Sequence, residues 1–198
     1  VVGRCDSGVM ADEFVEQPEI DCGLVAGNYF DYRDDEVALQ AETDLLNAAA
    51  TFEDEKFPAD ARALYFDPLH PPKGALAGVN VLWPRISTAE VMDCEDPIYC
   101  AGTTATPMIT SGALGDNYFV NALRLLAVKP TQITRLLVSE RFAKNGIYTF
   151  KFYKAGSWRY VHIDDRIPCR QSGRVHFARN ENPNETFAML LEKAYAKL

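Results

Sequence analysis

Nine residues constrain this chain more than any others: Ser111-Gly112-Ala113-Leu114-Gly115-Asp116-Asn117-Tyr118-Phe119. Two glycines bracket a tight turn, and Asp116 offers a carboxylate as N-cap. Phe119, Ala122, Leu123 and Leu126 then recur at the i, i+3, i+4, i+7 spacing of an amphipathic helix that Pro130 stops. A helix entered through such a loop gathers backbone N–H groups and a positive partial charge at its first turn, where a thiolate or an oxyanion is stabilised. The side chain offered there is Asn117.

The rest of the chain surrounds that helix. Asp35 to Ala50 favours a short helix packed by Ala38, Ala41, Leu45 and Ala48. Prolines at 58, 68, 71, 72 and 84 then exclude a long helix or a central strand, so this stretch is expected to wrap the core as extended chain. Thr131 is expected to cap a second helix with Ile133, Leu136, Leu137 and Phe142 on its apolar side. Ile147 to Lys154 and Trp158 to Ile163 alternate around Ala155-Gly156 as a hairpin with aromatics on both faces. Asn184 is expected to cap a last helix through Phe187, Leu190, Leu191, Ala194 and Leu198. The expectation is an α+β fold, a central helix with surrounding helices and a β-hairpin.

Charge divides the chain. Val1 to Asp60 holds 16 acidic and 3 basic residues, and the remainder 12 and 17, so a −13 leader precedes a +5 body in a chain of net charge −8. The acidic leader reads as a solvated arm, or as a contact for a basic surface. No basic stripe with interleaved aromatics suggests nucleic acid, and no apolar run is long enough for a membrane span. The start at Val1 reads as a trimmed piece. Five cysteines without a CxxC pair fit a reducing, cytoplasmic setting better than a disulfide framework or zinc site.

Gly112-Ala-Leu-Gly-Asp116, followed by Tyr118-Phe119 and a small-residue helix, resembles the active-site segment of calpains, the papain-like, calcium-dependent cysteine proteases. Similar strings follow in Gly146 to Lys154, Gly156-Ser-Trp158, Val161 to Cys169 and Glu185 to Lys197. Looser ones precede it at Phe57-Pro58, Leu64-Tyr65, Asp67-Pro68 and Trp83-Pro-Arg85. The resemblance covers residues 52 to 198 and implies the first subdomain of a papain-like protease core, with residues 1 to 51 as an acidic leader containing a short helix. The subdomain carrying the family's histidine and asparagine would follow Leu198.

Within that resemblance the chemistry is altered. Asn117 stands in the place of the nucleophilic cysteine, Ser111 in that of the oxyanion-hole glutamine, and Tyr118 in that of a tryptophan. An amide cannot ionise into a nucleophile, and His70, His162 and His176 lie in no string like the family's histidine motif. Glu185 matches a calcium-ligand glutamate, but Met108 takes the place of the aspartate, and a thioether is a poor ligand for a hard cation. His162, Asp164 and Asp165 suggest a metal only weakly against a structural role, with Asp165 and Arg166 as a fixed charge pair.

The leading expectation is an inactive pseudo-protease that binds a protein or peptide in the former substrate groove, with cytoskeletal association by family analogy. The alternative is a calcium-dependent cysteine endopeptidase whose catalytic half lies beyond this segment.

Overall fold

The computed structural model describes residues 32–46, 51–65, 67–70, 80–88, 91, 93–102 and 108–198. Its elements run α1 (Tyr32–Leu46), α2 (Ala61–Leu64), β1 (Ile109–Thr110), α3 (Asn117–Ala127), α4 (Pro130–Thr134), β2 (Leu137–Ser139), β3 (Ile147–Lys154), β4 (Ser157–Asp164), β5 (Arg179–Asn180) and α5 (Phe187–Lys197). Small antiparallel sheets, β1-β5 and β2-β3-β4, accompany the helices, so the fold is α+β as expected. Arg33–Leu198 form one compact unit. Among the described residues no helix is long and apolar enough to cross a membrane.

The alternating run from Ile147 to Asp164 becomes an uninterrupted ladder from Ile147↔Asp164 to Lys154↔Ser157. Ala155 and Gly156, at φ 53 and 79°, close it with two left-handed residues, which suits the right-handed twist of the paired strands. Two different layers cover this hairpin. Tyr148, Phe150, Val161 and Ile163 face the apolar core with Leu123, Ile133, Phe187, Leu190 and Leu191, all buried. Burying each such side chain contributes about 1.5–3 kcal/mol, so this layer supplies the main driving force. Tyr195 of α5 joins α3 to the hairpin within this layer, stacking on Phe119 of α3 at 4.4 Å and meeting Phe152 of β3 edge-on at 6.2 Å.

Polar contacts to α1 cover the opposite face. Thr149 Oγ donates to buried Glu42 at 2.8 Å, Lys151 Nζ donates to Asp35 at 2.7 Å, and Tyr160 donates to the same carboxylate at 2.6 Å. Arg141 adds bonds to Leu39 O and Thr43 Oγ. This stretch of the acidic leader is therefore no solvated arm but a helix held on the body's own cations. Its packing also differs from the sequence expectation. Ala38 is buried, but Leu45 is exposed and Glu42 takes the inner position. Ala48 lies outside the described residues, as do Cys5 and Cys22.

Other expectations are corrected. The second helix is only the five-residue α4, begun by Pro130 at its first turn rather than capped by Thr131, and Leu137 belongs to β2. On α3 the buried stripe is Phe119, Val120, Leu123 and Ala127, while Ala122 and Leu126 are exposed. Asn184 does not cap α5. Its side chain accepts from Glu95 N and Asp96 N, and Thr186 occupies the N-cap position but donates its hydroxyl to Ile98 O instead of capping the helix. The proline-rich stretch holds the four-residue α2 and a turn at 67–70, and it runs extended only from residue 80, with bridges Leu82↔Cys169 and Arg85↔Arg166 along the body.

Candidate active site

The turn before α3 is fixed from behind by the segment that follows β4. A Cβ on Gly112 would lie 2.1 Å from the Phe177 Cα, so only glycine permits this approach, and Ala113 N donates to His176 O at 3.2 Å. Gly115, at φ 80°, completes the reversal. The strand β1 that leads into the turn pairs with β5 through Ile109↔Asn180. Three separate contacts therefore hold the first turn of α3.

Asp116 occupies the N-cap position, but its carboxylate does not cap the helix; its carbonyl accepts from Phe119 N and Val120 N. The side chain is directed to α5 instead. There Glu192, 5% exposed, accepts from Ala178 N at 3.0 Å. Burial, and then the charge of Asp116, push the Glu192 carboxyl up to about 8. At neutral pH Glu192 therefore holds a proton that it can offer to Asp116, whose Oδ1 is otherwise buried without a partner. Beside this pair a cavity of about 180 Å³ opens between Leu114, Trp83, Phe177 and Met189.

Asn117 is exposed at the start of α3, and among the described residues its amide makes no side-chain hydrogen bond. Ser111 is half-buried at the end of β1, and its hydroxyl likewise has no partner among them. Tyr118 is 69% exposed. The two sequence-selected positions thus flank one pinned turn, and neither carries a group that ionises near neutral pH.

Thiol chemistry has no other described source. Burial raises the Cys94 and Cys100 thiols, and pushes Cys169 up to about 12. Such thiols stay protonated and inert. The histidines are occupied elsewhere. His70 is a surface residue paired with Asp67 at 2.9 Å, His162 Nδ1 meets Thr149 Oγ at 2.9 Å, and His176 Nδ1 accepts from Arg170 Nε at 3.1 Å. Burial, and then Arg170 for His176, keep the last of these neutral, and burial lowers His162 as well.

The suspected metal cluster at His162, Asp164 and Asp165 separates into ion pairs. Lys193 Nζ contacts Asp164 Oδ1 and donates to Asp164 O and Arg166 O, satisfying all three of its protons inside the protein. Burial alone would raise the Asp164 carboxyl, but Lys193 and the Asp54 and Arg166 amides hold it below the usual range. Burial pulls the lysine down, against the charge of Asp164, which favours its protonated form. Asp165 pairs not with Arg166 but with Arg85, at 2.6 Å, while Arg166 reaches Glu53 and Asp164.

Glu185 is buried, and its Oε1 accepts from Ala101 N at 2.9 Å, fixing the start of α5 beside Ile98. Met108 is 64% exposed and uses its carbonyl on Glu181 N. Among the described residues no cluster of three His, Cys, Asp or Glu could hold a metal. A lone carboxylate already bonded to the backbone does not fit the oxygen-rich shell of calcium.

The site is thus a helix start presented by a pinned turn, backed by a buried helix and flanked by small antiparallel sheets. Residues 52–198 match the calpain family cysteine proteases, peptidase C2. The chain is 33% identical to the calpain-type cysteine protease ADL1 of Oryza sativa subsp. japonica over 147 residues, which is 74% of this chain and 7% of that protein. It is 35% identical to calpain-8 of Mus musculus and 34% to the calpain-2 catalytic subunit of Homo sapiens, each over 156 residues, 77% of this chain and 21% of the relative. This chain belongs to the calpain family. It spans 7 to 21% of the length of these relatives.

Sequence reading missed the Asp116–Glu192 and Asp164–Lys193 pairs. The signal for both was a charged dipeptide inside the apolar run of the last helix, where Phe187 to Ala194 are all buried.

Proposed function

We propose that this calpain-family protease segment does not cleave peptides and acts as a binding or scaffold module. The observation that carries the reading is Asn117, exposed on the first turn of α3. By resemblance that is the nucleophile's position, and an amide cannot attack a carbonyl as a thiolate does. Ser111 in the oxyanion position weakens the second requirement, since its hydroxyl is shorter than a glutamine amide. The described thiols are all raised by burial, and no described histidine bonds to one.

Binding is supported by what surrounds Asn117. Tyr118 and Leu125, 69 and 76% exposed, lie seven residues apart on one face of α3, and Leu114 is 39% exposed beside the turn. Apolar surface of this kind is characteristic of contact sites. A peptide or protein segment laid across the turn would cover it. The alternative, a calcium-dependent cysteine endopeptidase completed by residues outside this segment, is favoured by the names of the relatives and opposed by Asn117.

Restoring the thiol tests the reading. Asn117→Cys in this chain is expected to leave hydrolysis of a fluorogenic peptide at background, because histidine and oxyanion partners are still missing. Measurable turnover by that variant would overturn it.

A further inference from the structure

Away from the active-site turn, a pocket of about 540 Å³ is lined by Arg170, Arg174, Arg179 and Asn180, with Asp93 and Glu181 also on its wall. Its volume is that of a small-molecule site.

The local fold brings the arginines together. Cys169 and Val175 form an antiparallel bridge, and one step further Arg170 N donates to Arg174 O at 2.8 Å. Residues opposed in this way have Cβ atoms about 5 Å apart, and like charges there repel. Arg170 is oriented by its Nε bond to buried His176, which leaves the remaining guanidinium N–H groups free to donate. Arg179 enters from β5 at its exposed position. Among the described residues Arg174 and Arg179 have no carboxylate partner, although two carboxylates share the wall. Three guanidinium groups thus line one pocket with two carboxylates, and among the described residues none of the three is ion-paired.

Asn180 adds an independent observation. It is 4% exposed, and its Oδ1 accepts from Ala188 N at 3.1 Å, which fixes the orientation of the amide. Its Nδ2 is buried without any hydrogen-bond partner. An unpaired buried donor costs about 1–3 kcal/mol, and Asn180 belongs to the pocket wall, so an acceptor bound there would offset that cost.

We propose that this pocket binds a phosphate group, with Arg170, Arg174 and Arg179 donating to its oxygens and Asn180 Nδ2 supplying the inner hydrogen bond. Guanidinium forks match phosphate geometry, and two negative charges on the ligand offset the repulsion between the arginines. Asp93 and Glu181 on the same wall limit the site to a compact anion and disfavour a broad acidic surface. The site does not depend on whether the protein cleaves peptides. Its β5 strand pairs with β1, which leads directly to Ser111.

The test is calorimetric titration of the chain with inorganic phosphate and with pyrophosphate at constant ionic strength. A second arm is co-sedimentation with neutral vesicles with or without phosphatidic acid. Saturable binding of the free anions is expected, weakened about tenfold or more by Arg174→Gln or Arg179→Gln and unchanged by Lys129→Gln. Both arginines are exposed, so the variants should fold, and unchanged melting temperatures check this. Vesicle binding that requires phosphatidic acid and is lost in the double variant would assign the phosphate to a lipid headgroup; anion binding without it assigns a soluble ligand. The proposal is overturned if neither arm shows binding, or if Arg174→Gln/Arg179→Gln binds as the unsubstituted chain does.

Discussion

The underside of the active-site region and its outer turn have been treated very differently by this sequence. Beneath, α5 is buried along most of its length and even its charged residues find partners inside, Lys193 in Asp164 and two carbonyls, Glu192 in Ala178 N. Above, Asn117 and Tyr118 are exposed, and the Asn117 amide makes no side-chain bond among the described residues. The same turn separates the two. Packing constrains residues through many partners at once, whereas an exposed side chain answers only to the chemistry asked of it. A scaffold of this kind can therefore persist while an exposed side chain on it varies.

Substitutions should sort along that division. Lys193→Met leaves the Asp164 charge buried beside uncapped carbonyls and should cost about 3–5 kcal/mol, read by denaturant unfolding. A cost below 1 kcal/mol would show that the underside is not held as described. Gly112→Ala should cost about 3 kcal/mol, because its Cβ meets backbone that cannot rotate away. If the variant melts as the parent does, the turn is not pinned by Phe177.

Glu192 gives the comparison a pH axis. Its carboxyl is raised in the folded state to about 8, so the folded chain binds the proton more tightly than the unfolded one. Stability from this group is complete below the unfolded value of about 4.5 and is lost as pH rises towards 8, at about 1.4 kcal/mol per unit. Glu192→Gln should flatten that part of the pH–stability curve. An identical slope in parent and variant would remove the shared proton.

Smaller effects are expected outside the core. Asp35→Asn weakens the bonds of Lys151 and Tyr160 to α1 and should cost about 1 kcal/mol, with faster amide exchange confined to that helix. Exchange that rises across the whole hairpin instead would make α1 part of the core. Asn117→Cys should change stability by no more than about 0.5 kcal/mol, since the residue is exposed.

Regular local patterns were legible in the sequence; the pairings between distant segments were not. The hairpin could be read because strict alternation and a two-residue turn leave one register. Leu136 and Leu137 misled because a short apolar run has no period, and the end of α4 is decided by Lys151 N bonding back to Leu136 O. Asp116 and Asn184 carry the right chemistry for caps, yet neither caps: Asp116 Oδ1 is buried beside Glu192, and Asn184 accepts from Glu95 N and Asp96 N. Arg85 and Asp165 meet across 80 positions, a separation at which no local rule operates. Asn117 and Ser111 were singled out by resemblance alone, and the fold shows only that both flank the pinned turn, whereas the arginine pocket depends on a strand pairing and a bridge that only the fold supplies.

The central claim is that the scaffold has outlived the chemistry. It is tested most directly by peptide cleavage with the full-length native protein, with and without calcium, beside its Asn117→Ala variant. Background rates in all four samples are predicted. Calcium-dependent cleavage by the native protein would contradict the account.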